Sequence, residues 1–552
     1  MERITINPKN NRFGGPLARY WERPLGSQSG RPITRKMART AILCLSFAFV
    51  WPATARGQGG GGWSRPGADP QLTGWQKTEH RISKDDAKNM KFLWKLKLSS
   101  DPPETIASTE AIFGGMVVTE KGFKDTAIVM GPSNTLYSVD YEVGQINWQK
   151  HFDVQSGPAQ GTACQNARTA AALIQPPASP PSPFGPQGSG GPRRIGRGGG
   201  GGGLAVRGVY VLASDGSLHE QILSSGEDYA PAVKFLRSAN GNLSDLTIIG
   251  STLYVNTSRS CGGMPNGVWA LDMSTPEYKV SSYATTGVSV SGLAGPAQST
   301  DGKILYVITG SGASNTPSGV YPNSVIAVDS TTMTAKDYFT PSGTAATAKS
   351  DMNVSPVVFA YEGRDLVAAY VAGGRLALLD SISLGGADHS TPLYQTDPIA
   401  KNGGSGAWGR LASFVDTDGV RWIFVSVQGP IASGIRFPTT NGATPNGSVV
   451  AFKVEEQNGK TVLTPGWVSP DVTNPSPAAI AAGLVFTLAN GDAKKSHAKL
   501  YALEARTGAP IYSSNDEITS SANFSSVSVS GGNVLFVTSD ATLYSFGIGI
   551  EH

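Results

Sequence analysis

The sequence predicts an all-β fold, an eight-bladed β-propeller made of four-stranded antiparallel blades. A short strand that typically ends in an acid, as in Leu136-Tyr-Ser-Val-Asp140 and Leu500-Tyr-Ala-Leu-Glu504, returns eight times along the chain. Most intervals between these strands are 43 to 57 residues, a period typical of propeller blades. Glycines in tight turns such as Thr300-Asp-Gly302 supply the positive φ that the hairpins between strands need.

The two ends of the chain are predicted to complete the ring together. The eighth repeat ends at Phe546 with no outer strand after it, whereas the alternating segment 92–98 precedes the first repeat without a partner. Pairing the two removes exposed sheet edges. We therefore expect an N-terminal strand at about 92–98 to close the last blade.

The first 55 residues have the features of a secretory signal behind an extra segment. Basic residues precede an apolar stretch at 41–50, which is too short to span a bilayer, and Ala53-Thr-Ala55 is a small-x-small cleavage pattern. The alternative is that 41–50 is a buried strand. The predicted segments are a probable non-native extension (1–36, with Met37 as initiator), a signal peptide (37–55), a flexible linker (56–74) and a single propeller (75–552).

The charge distribution excludes a nucleic-acid partner. The formal net charge is +4, but residues 1–36 contribute +6 and Arg39 one more, so the chain after residue 55 sums to −3. A slightly acidic body lacks the basic footprint that nucleic acid requires. We expect an exported protein, periplasmic or extracellular, with no transmembrane segment in the mature chain.

Two cysteines remain after the predicted cleavage. Cys164 and Cys261 form an even pair in an oxidising compartment, which is where disulfides form. The alternative is two separate buried thiols, because the sequence does not show whether the two Cα atoms approach within about 7 Å.

Blade two carries a long insertion. Between Gln175 and Gly203, 18 of 29 residues are Gly or Pro. Such a stretch cannot bury enough apolar surface to offset its ordering entropy. We therefore predict a disordered insertion at 175–203.

The first repeat carries a resemblance to a known family. Tyr137-Ser-Val-Asp140-Tyr-Glu-Val-Gly144-Gln-Ile-Asn-Trp148 resembles the repeat of the pyrroloquinoline-quinone (PQQ) propellers, in which the tryptophan of each blade docks on its neighbour. The resemblance spans roughly 75–548 and implies that Trp148 is such a docking residue. This quinoprotein-like class holds PQQ-dependent dehydrogenases, the propeller lipoprotein of outer-membrane protein assembly and many members without an assigned activity.

The dehydrogenase members of that class resemble one another in features that this sequence lacks. They have an adjacent Cys-Cys disulfide, a stacking tryptophan, and a Ca²⁺ held by Glu, Asn and Asp, and this chain has no adjacent cysteines. Asp416-Thr-Asp418 is a tight acidic cluster, and an Asp-Gly hairpin turn is the favoured interpretation. The six histidines include no i, i+4 pair for zinc. No metal site is predicted.

A candidate site lies at one mouth of the central channel. The innermost strands of a propeller begin around one mouth, so residues at equivalent repeat positions converge there. The candidates are Asp351, Asn353, Trp408, Arg410, Asn474 and Asn523, with Gln165, Asn166 and Arg168 from blade two. Amides, guanidinium groups, an indole and a carboxylate suit a polar or anionic ligand, although a wet channel is lined with polar groups in any case.

Two functions remain. The first is a non-catalytic secreted or periplasmic binding or scaffold module that takes a protein or glycan partner on its rim or channel mouth. The alternative is a PQQ-dependent oxidoreductase, like an alcohol or aldose dehydrogenase, with a degenerate site for PQQ and Ca²⁺ on the axis. The missing catalytic motifs favour the first, so no cofactor is assigned.

Overall fold

The computed structural model is an eight-bladed β-propeller. It describes residues 62–98, 109–131, 133–154, 168–174, 207–285, 287–312, 319–342, 353–401, 407–491, 496–522 and 526–549. Eight antiparallel sheets of four main strands form the ring, which confirms the predicted fold class. Helices in the described residues are the 3₁₀ turns Ala87–Asn89, Cys261–Gly263 and Gly386–Asp388. None of the described helices has the length and apolar character needed to cross a membrane.

The first four blades follow two N-terminal strands, β1 (Trp75–Gln76) and β2 (Lys91–Lys97). Each blade runs from an inner strand at the axis to an outer strand at the rim. In blades three and four, two short pieces share the inner position. The strands are β3 (Ile112–Thr119), β4 (Gly122–Met130), β5 (Thr135–Asp140) and β6 (Gln145–His151) in blade one; β7 (Ala171–Ile174), β8 (Gly208–Leu212), β9 (Ser217–Ile222) and β10 (Asp228–Lys234) in blade two; β11 (Asn242–Leu243), β12 (Thr247–Ile249), β13 (Thr252–Ser258), β14 (Gly267–Asp272) and β15 (Lys279–Ala284) in blade three; and β16 (Val290–Ser291), β17 (Ala297–Gln298), β18 (Ile304–Thr309), β19 (Val325–Asp329) and β20 (Ala335–Phe339) in blade four.

The second half of the ring repeats this arrangement. Two short strands, β21 (Asn353–Ser355) and β26 (Trp408–Arg410), lie before blades five and six and pair with each other in parallel. The blade strands are β22 (Val357–Tyr361), β23 (Arg364–Val371), β24 (Arg375–Asp380) and β25 (Tyr394–Gln395) in blade five; β27 (Ala412–Val415), β28 (Arg421–Gln428), β29 (Thr439–Thr440), β30 (Gly447–Gln457) and β31 (Lys460–Val468) in blade six; β32 (Ala479–Ala481), β33 (Leu484–Ala489), β34 (Lys499–Glu504) and β35 (Pro510–Ser513) in blade seven; and β36 (Ser528–Ser530), β37 (Asn533–Val537) and β38 (Thr542–Gly547) in blade eight.

The ring is closed by the N-terminal strand, as the sequence predicts. β2 pairs antiparallel with β38, with Lys95 opposite Tyr544 and Leu96 opposite Leu543. The predicted strand at about 92–98 is observed at Lys91–Lys97. Phe92 adds edge-to-face contacts with Tyr544 and Phe546, at ring-centroid distances of 6.3 and 5.6 Å. Both chain ends therefore share blade eight, which has no unpaired outer edge at β38.

The apolar core lies between neighbouring blades. Strands in the middle of a blade are buried on both faces because a blade stacks on each side; all six residues of β5 are buried. One cluster, for example, joins Ile128 and Leu136 of blade one to Val209 and Val211 of blade two. Burial of these faces is the main favourable term in folding.

Three described blade seams share an indole placed flat on a turn glycine of the next blade. In each, the indole N–H also donates to a backbone carbonyl at a distance of 2.9–3.0 Å. The three tryptophan–glycine–carbonyl sets are Trp94–Gly144–Tyr141, Trp148–Gly226–Leu223 and Trp467–Gly508–Ala505. A Cβ on any of these glycines would lie within 2.5 Å of the ring, so only glycine lets the blades approach this closely.

We expect Gly226→Ala to destabilise the ring by about 2 kcal/mol more than Gly363→Ala, because overpacking a filled interface costs about 1–3 kcal/mol. Both glycines have positive φ, +75° and +82°, but Gly363 has open space where a Cβ would stand. The control therefore carries only the conformational strain of about 1–2 kcal/mol. Chemical unfolding of the two variants measures the difference; equal losses would show that the indole does not constrain the seam.

Candidate functional site

The channel is lined on the inside by an N-terminal segment, residues 63–76, here called the axial segment. Its backbone carbonyls accept hydrogen bonds from the N–H of the second residue in five innermost strands, at distances of 2.7–3.1 Å. The donor–acceptor pairs are Phe113–Trp63, Gln298–Pro70, Val358–Gln71, Ser413–Thr73 and Ile480–Gly74. The Gln76 side chain reaches Ser530 of blade eight at 3.3 Å. The segment therefore contacts six blades in turn.

The axial segment corrects the predicted flexible linker at 56–74 over residues 62–74; residues 56–61 lie outside the described residues. Trp63 and Leu72 are buried, and Trp75–Gln76 pairs in parallel with the inner strand of blade seven. The physical reason is that inner strands are sheet edges whose N–H groups face the channel and need acceptors. A segment rich in glycine and proline can follow the inner strands closely and supply carbonyls to them, while its Trp63 side chain occupies the axis.

Trp63, Glu110 and Arg410 form a fully buried cluster on the axis. Glu110 Oε1 accepts the Trp63 indole N–H and, at 3.2 Å, the backbone N–H of Gly67. Arg410 Nη2 lies 3.6 Å from Glu110 Oε2, and Arg410 Nη1 donates to the Ala478 carbonyl at 2.7 Å. The guanidinium also stacks over the Trp63 ring at 5.3 Å. The two charges thus balance each other and the indole N–H has its acceptor within the protein, while Arg410 Nε and Nη2 make no hydrogen bond among the described residues.

A second buried ion pair lies beside the first. Arg168 Nη1 donates to Asp245 and, at 3.4 Å, to the Leu293 carbonyl, and the Arg168 N–H donates to Asn242 at 3.0 Å. Complete burial raises the pKa of Asp245 to about 6, against the opposing charge of Arg168. Glu110 and Arg410 also act on this carboxyl group, so the two ion pairs share one electrostatic environment.

These groups line a cleft at the channel mouth where the innermost strands begin. Its described lining comes from seven of the eight blades: Glu110, Arg168, Asp245, Leu293, Ala294, Trp408, Gly409, Arg410, Pro477 and Ser526. The cleft has space for about one water molecule. The convergence expected from repeat register is therefore real, but most of the space is already filled by the protein's own side chains.

The predicted site residues fall into four groups. Trp408, Arg410 and Arg168 lie together in the cleft. Asn474 is exposed on a loop where its carbonyl accepts a hydrogen bond from Asn490 at 2.6 Å, and it does not line the cleft. Asn353 is described only by its backbone, which is paired opposite Trp408. The candidates outside the described residues are Asp351, Asn523, Gln165 and Asn166.

Sequence reasoning missed Glu110, Asp245 and Trp63. A signal existed for the two acids, because each directly follows the small polar residue, Thr109 or Ser244, that introduces an innermost strand. Arg410 lies three residues before the equivalent Ser413. Trp63 had no such signal, since it stands at the end of a glycine run that reads as linker.

The remaining chemical candidates have structural roles. Cys261 is buried and disulfide-bonded; Cys164 lies outside the described residues, so their pairing stays a prediction. The Asp416 carboxylate accepts the N–H groups of Asp418 and Val420 at 3.0 and 2.9 Å, as a hairpin turn requires. Across the described ranges, no cluster of three or more His, Cys, Asp or Glu side chains is arranged to hold a metal ion.

Comparison with known proteins identifies the fold. No family model and no curated protein matches the chain. Among solved structures, the quinohemoprotein alcohol dehydrogenase of Comamonas testosteroni matches at 14% identity and a TM-score of 0.56, covering 89% of this chain and 81% of its own. This chain has a PQQ-like propeller fold.

Two further solved structures support the same PQQ-like propeller. The quinohemoprotein alcohol dehydrogenase ADHIIG of Pseudomonas putida HK5 matches at 13% identity and a TM-score of 0.56, and the match covers 89% of this chain and 81% of the dehydrogenase. A europium-containing methanol dehydrogenase matches at 11% identity and a TM-score of 0.54, and the match covers 88% of this chain and 98% of the dehydrogenase. At such identities the likeness concerns the fold, and activity has to be argued from the residues of the site.

The described axial residues of this PQQ-like propeller do not fit PQQ. PQQ is a planar molecule of three fused rings with three carboxylates, so it needs a flat slot and several unpaired cations. Here Arg410 already faces Glu110, and Arg168 faces Asp245. The Trp63 ring and the Arg410 side chain fill the axis. We therefore derive no chemistry through this cofactor.

We expect Asp245 to make the folded protein less stable as pH rises from about 4 to 6. Its folded pKa of about 6 lies above its ordinary value of 3.8, so in this window the folded state holds a proton that the unfolded chain has released. Relative to Asp245→Asn, which does not titrate, wild type should lose roughly 3 kcal/mol. Urea unfolding of both proteins at pH 4, 5, 6 and 7 checks this; parallel stability curves would contradict it.

Proposed function

We propose that this PQQ-like propeller is a non-catalytic binding or scaffold module that takes a protein or glycan partner on its rim or channel mouth. The observation that carries the proposal is the filled axis: Trp63, Glu110 and Arg410 bind one another where a propeller enzyme would place its cofactor. A closed ring with its axis filled keeps the mouth loops and the rim as surfaces for recognition.

The axial polar groups support a structural role because each charge is already balanced. Glu110 faces Arg410 and Asp245 faces Arg168, and all four side chains are at least nine-tenths buried. A general base or nucleophile needs a free lone pair facing the substrate. Buried carboxylates held by arginines, in a cleft with space for about one water molecule, lack that access.

The competing function is a PQQ-dependent oxidoreductase, which the fold shared with the alcohol dehydrogenases favours. Adding PQQ with Ca²⁺ to the purified chain, then recording absorbance and dye reduction with alcohols and aldoses, separates the two. We expect neither saturable binding nor dye reduction, because the described axial residues leave no slot of the required size. A reconstituted quinoprotein dehydrogenase serves as the positive control.

Stoichiometric PQQ binding with dye reduction would contradict the non-catalytic proposal. In that event Arg410→Ala tells where the cofactor is held. Loss of binding in the variant would assign it to the channel mouth, and unchanged affinity would assign it to a different surface.

We also propose that the protein works outside the cytoplasm, after cleavage of the signal at 37–55. The disulfide of Cys261 supports this, because disulfides persist in oxidising compartments. N-terminal sequencing of protein recovered from a secreting host should give a chain that begins at Arg56. A mature chain that retains Met37 would contradict the proposed cleavage.

A further inference from the structure

A larger cleft lies away from the axis, on the rim where blade one meets blade two. It is an open, shallow depression with a volume of about 470 Å³, within the size range of small-molecule sites. Its lining consists of His219 from β9 and of one run of β10: Asp228, Tyr229, Ala230, Pro231 and Ala232. We call it the rim cleft.

The rim cleft exists because β10 separates from β9 beside His219. Pairing between the two strands is irregular twice, between Asp228 and Ala230 and again between Ala230 and Val233. Pro231 has no N–H to donate to the ladder, so the strand cannot close on its neighbour there. The opening therefore results from the local sequence of β10 within a sheet, and it forms without movement of a loop.

Blade one packs against the strands of blade two that line the cleft. Alternate residues of β6 and its extension, Trp148, Lys150 and Phe152, face blade two. Trp148 docks on Gly226, Lys150 Nζ lies 2.8 Å from Asp228 Oδ2, and the Phe152 ring centroid is 4.6 Å from that of His219. The seam that holds the blades together thus also fixes the geometry of the cleft.

The cleft combines an aromatic surface with groups that both donate and accept hydrogen bonds. Within the described residues, neither the His219 ring nor the Tyr229 hydroxyl makes a hydrogen bond, and Tyr229 is 40% exposed. Burial lowers the pKa of His219, so its neutral ring offers one donor and one acceptor at neutral pH. Asp228 and Lys150 balance each other's charge beside the cleft, and the Asp215 carboxylate also acts on the His219 ring.

We propose that the rim cleft binds a neutral saccharide. A sugar ring presents an apolar C–H face, suited to the Tyr229 ring and the Ala230–Pro231 surface, and a rim of hydroxyl groups that donate and accept. The His219 ring, the Tyr229 hydroxyl and the Asp228 carboxylate match those hydroxyls. Because Asp228 is already paired with Lys150, it offers a strongly charged ligand no separate ionic partner. The inference rests on the proposed binding function and specifies its glycan option.

A peptide strand added to the β10 edge is the competing occupant. The two irregularities and Pro231 interrupt the row of N–H and C=O groups that such a strand needs. The interrupted edge and the neutral aromatic cleft therefore favour the saccharide, and peptide binding becomes an outcome of the test.

The test is a printed array of neutral and anionic glycans, followed by calorimetry with the best neutral oligosaccharide. We expect Tyr229→Ala and His219→Ala each to weaken binding at least tenfold, while Tyr229→Phe, which keeps the ring, loses less. Ile382→Ala, an exposed apolar residue on blade five, serves as the matched control and should bind as wild type does. Circular dichroism and the unfolding midpoint verify that each variant is folded.

The outcomes are distinguishable. Folded wild type that binds no neutral glycan, or glycan binding that both cleft variants leave unchanged, would overturn the rim cleft, while a negative PQQ assay would leave the non-catalytic proposal standing. Dye reduction with PQQ would overturn the non-catalytic proposal whatever the array shows. Binding of an extended peptide that Tyr229→Ala abolishes would replace the saccharide with a peptide.

Discussion

The structure depends on how the innermost strands satisfy the backbone N–H groups that face the channel. Five of these groups donate to carbonyls of the axial segment, and an unsatisfied buried donor would cost about 1–3 kcal/mol each. The ring and the axial segment are therefore one folding unit, although the segment precedes the first blade in sequence. Its position also brings Trp63 against Glu110 and Arg410, and so decides what the axis contains.

At the rim, one stretch of chain contributes both to a blade seam and to the contacts beside the rim cleft. β6 supplies Trp148 to the seam with blade two, and Lys150 and Phe152, two and four residues later, contact Asp228 and His219 of the rim cleft. Alternation along a strand makes this dual use unavoidable, because every second side chain faces the same neighbour. A rim site built on strands stays in place as long as the seam is intact, which suits a rigid recognition module.

The likeness to alcohol and methanol dehydrogenases concerns the path of the backbone. In this chain the axial residues bind one another in two buried ion pairs, and the shape of the channel mouth follows from those pairs. A fold of this kind supports several functions because the ring is stabilised by its seams and closure, independently of what lies on the axis.

The docking role of Trp148 was implied by the resemblance of its repeat to the PQQ propellers, whereas the sequence by itself determined the number of blades and the closing strand. These follow from local periodicity, turn glycines and the alternation of apolar residues, so the predicted strand at 92–98 matches Lys91–Lys97 closely. Only the tertiary structure decided the course of residues 62–74, the partners of Arg168 and Arg410, and the opening beside His219. Those features depend on contacts between residues far apart in the chain, such as Trp63 with Arg410, and on a strand irregularity whose side chains become neighbours only when two blades meet.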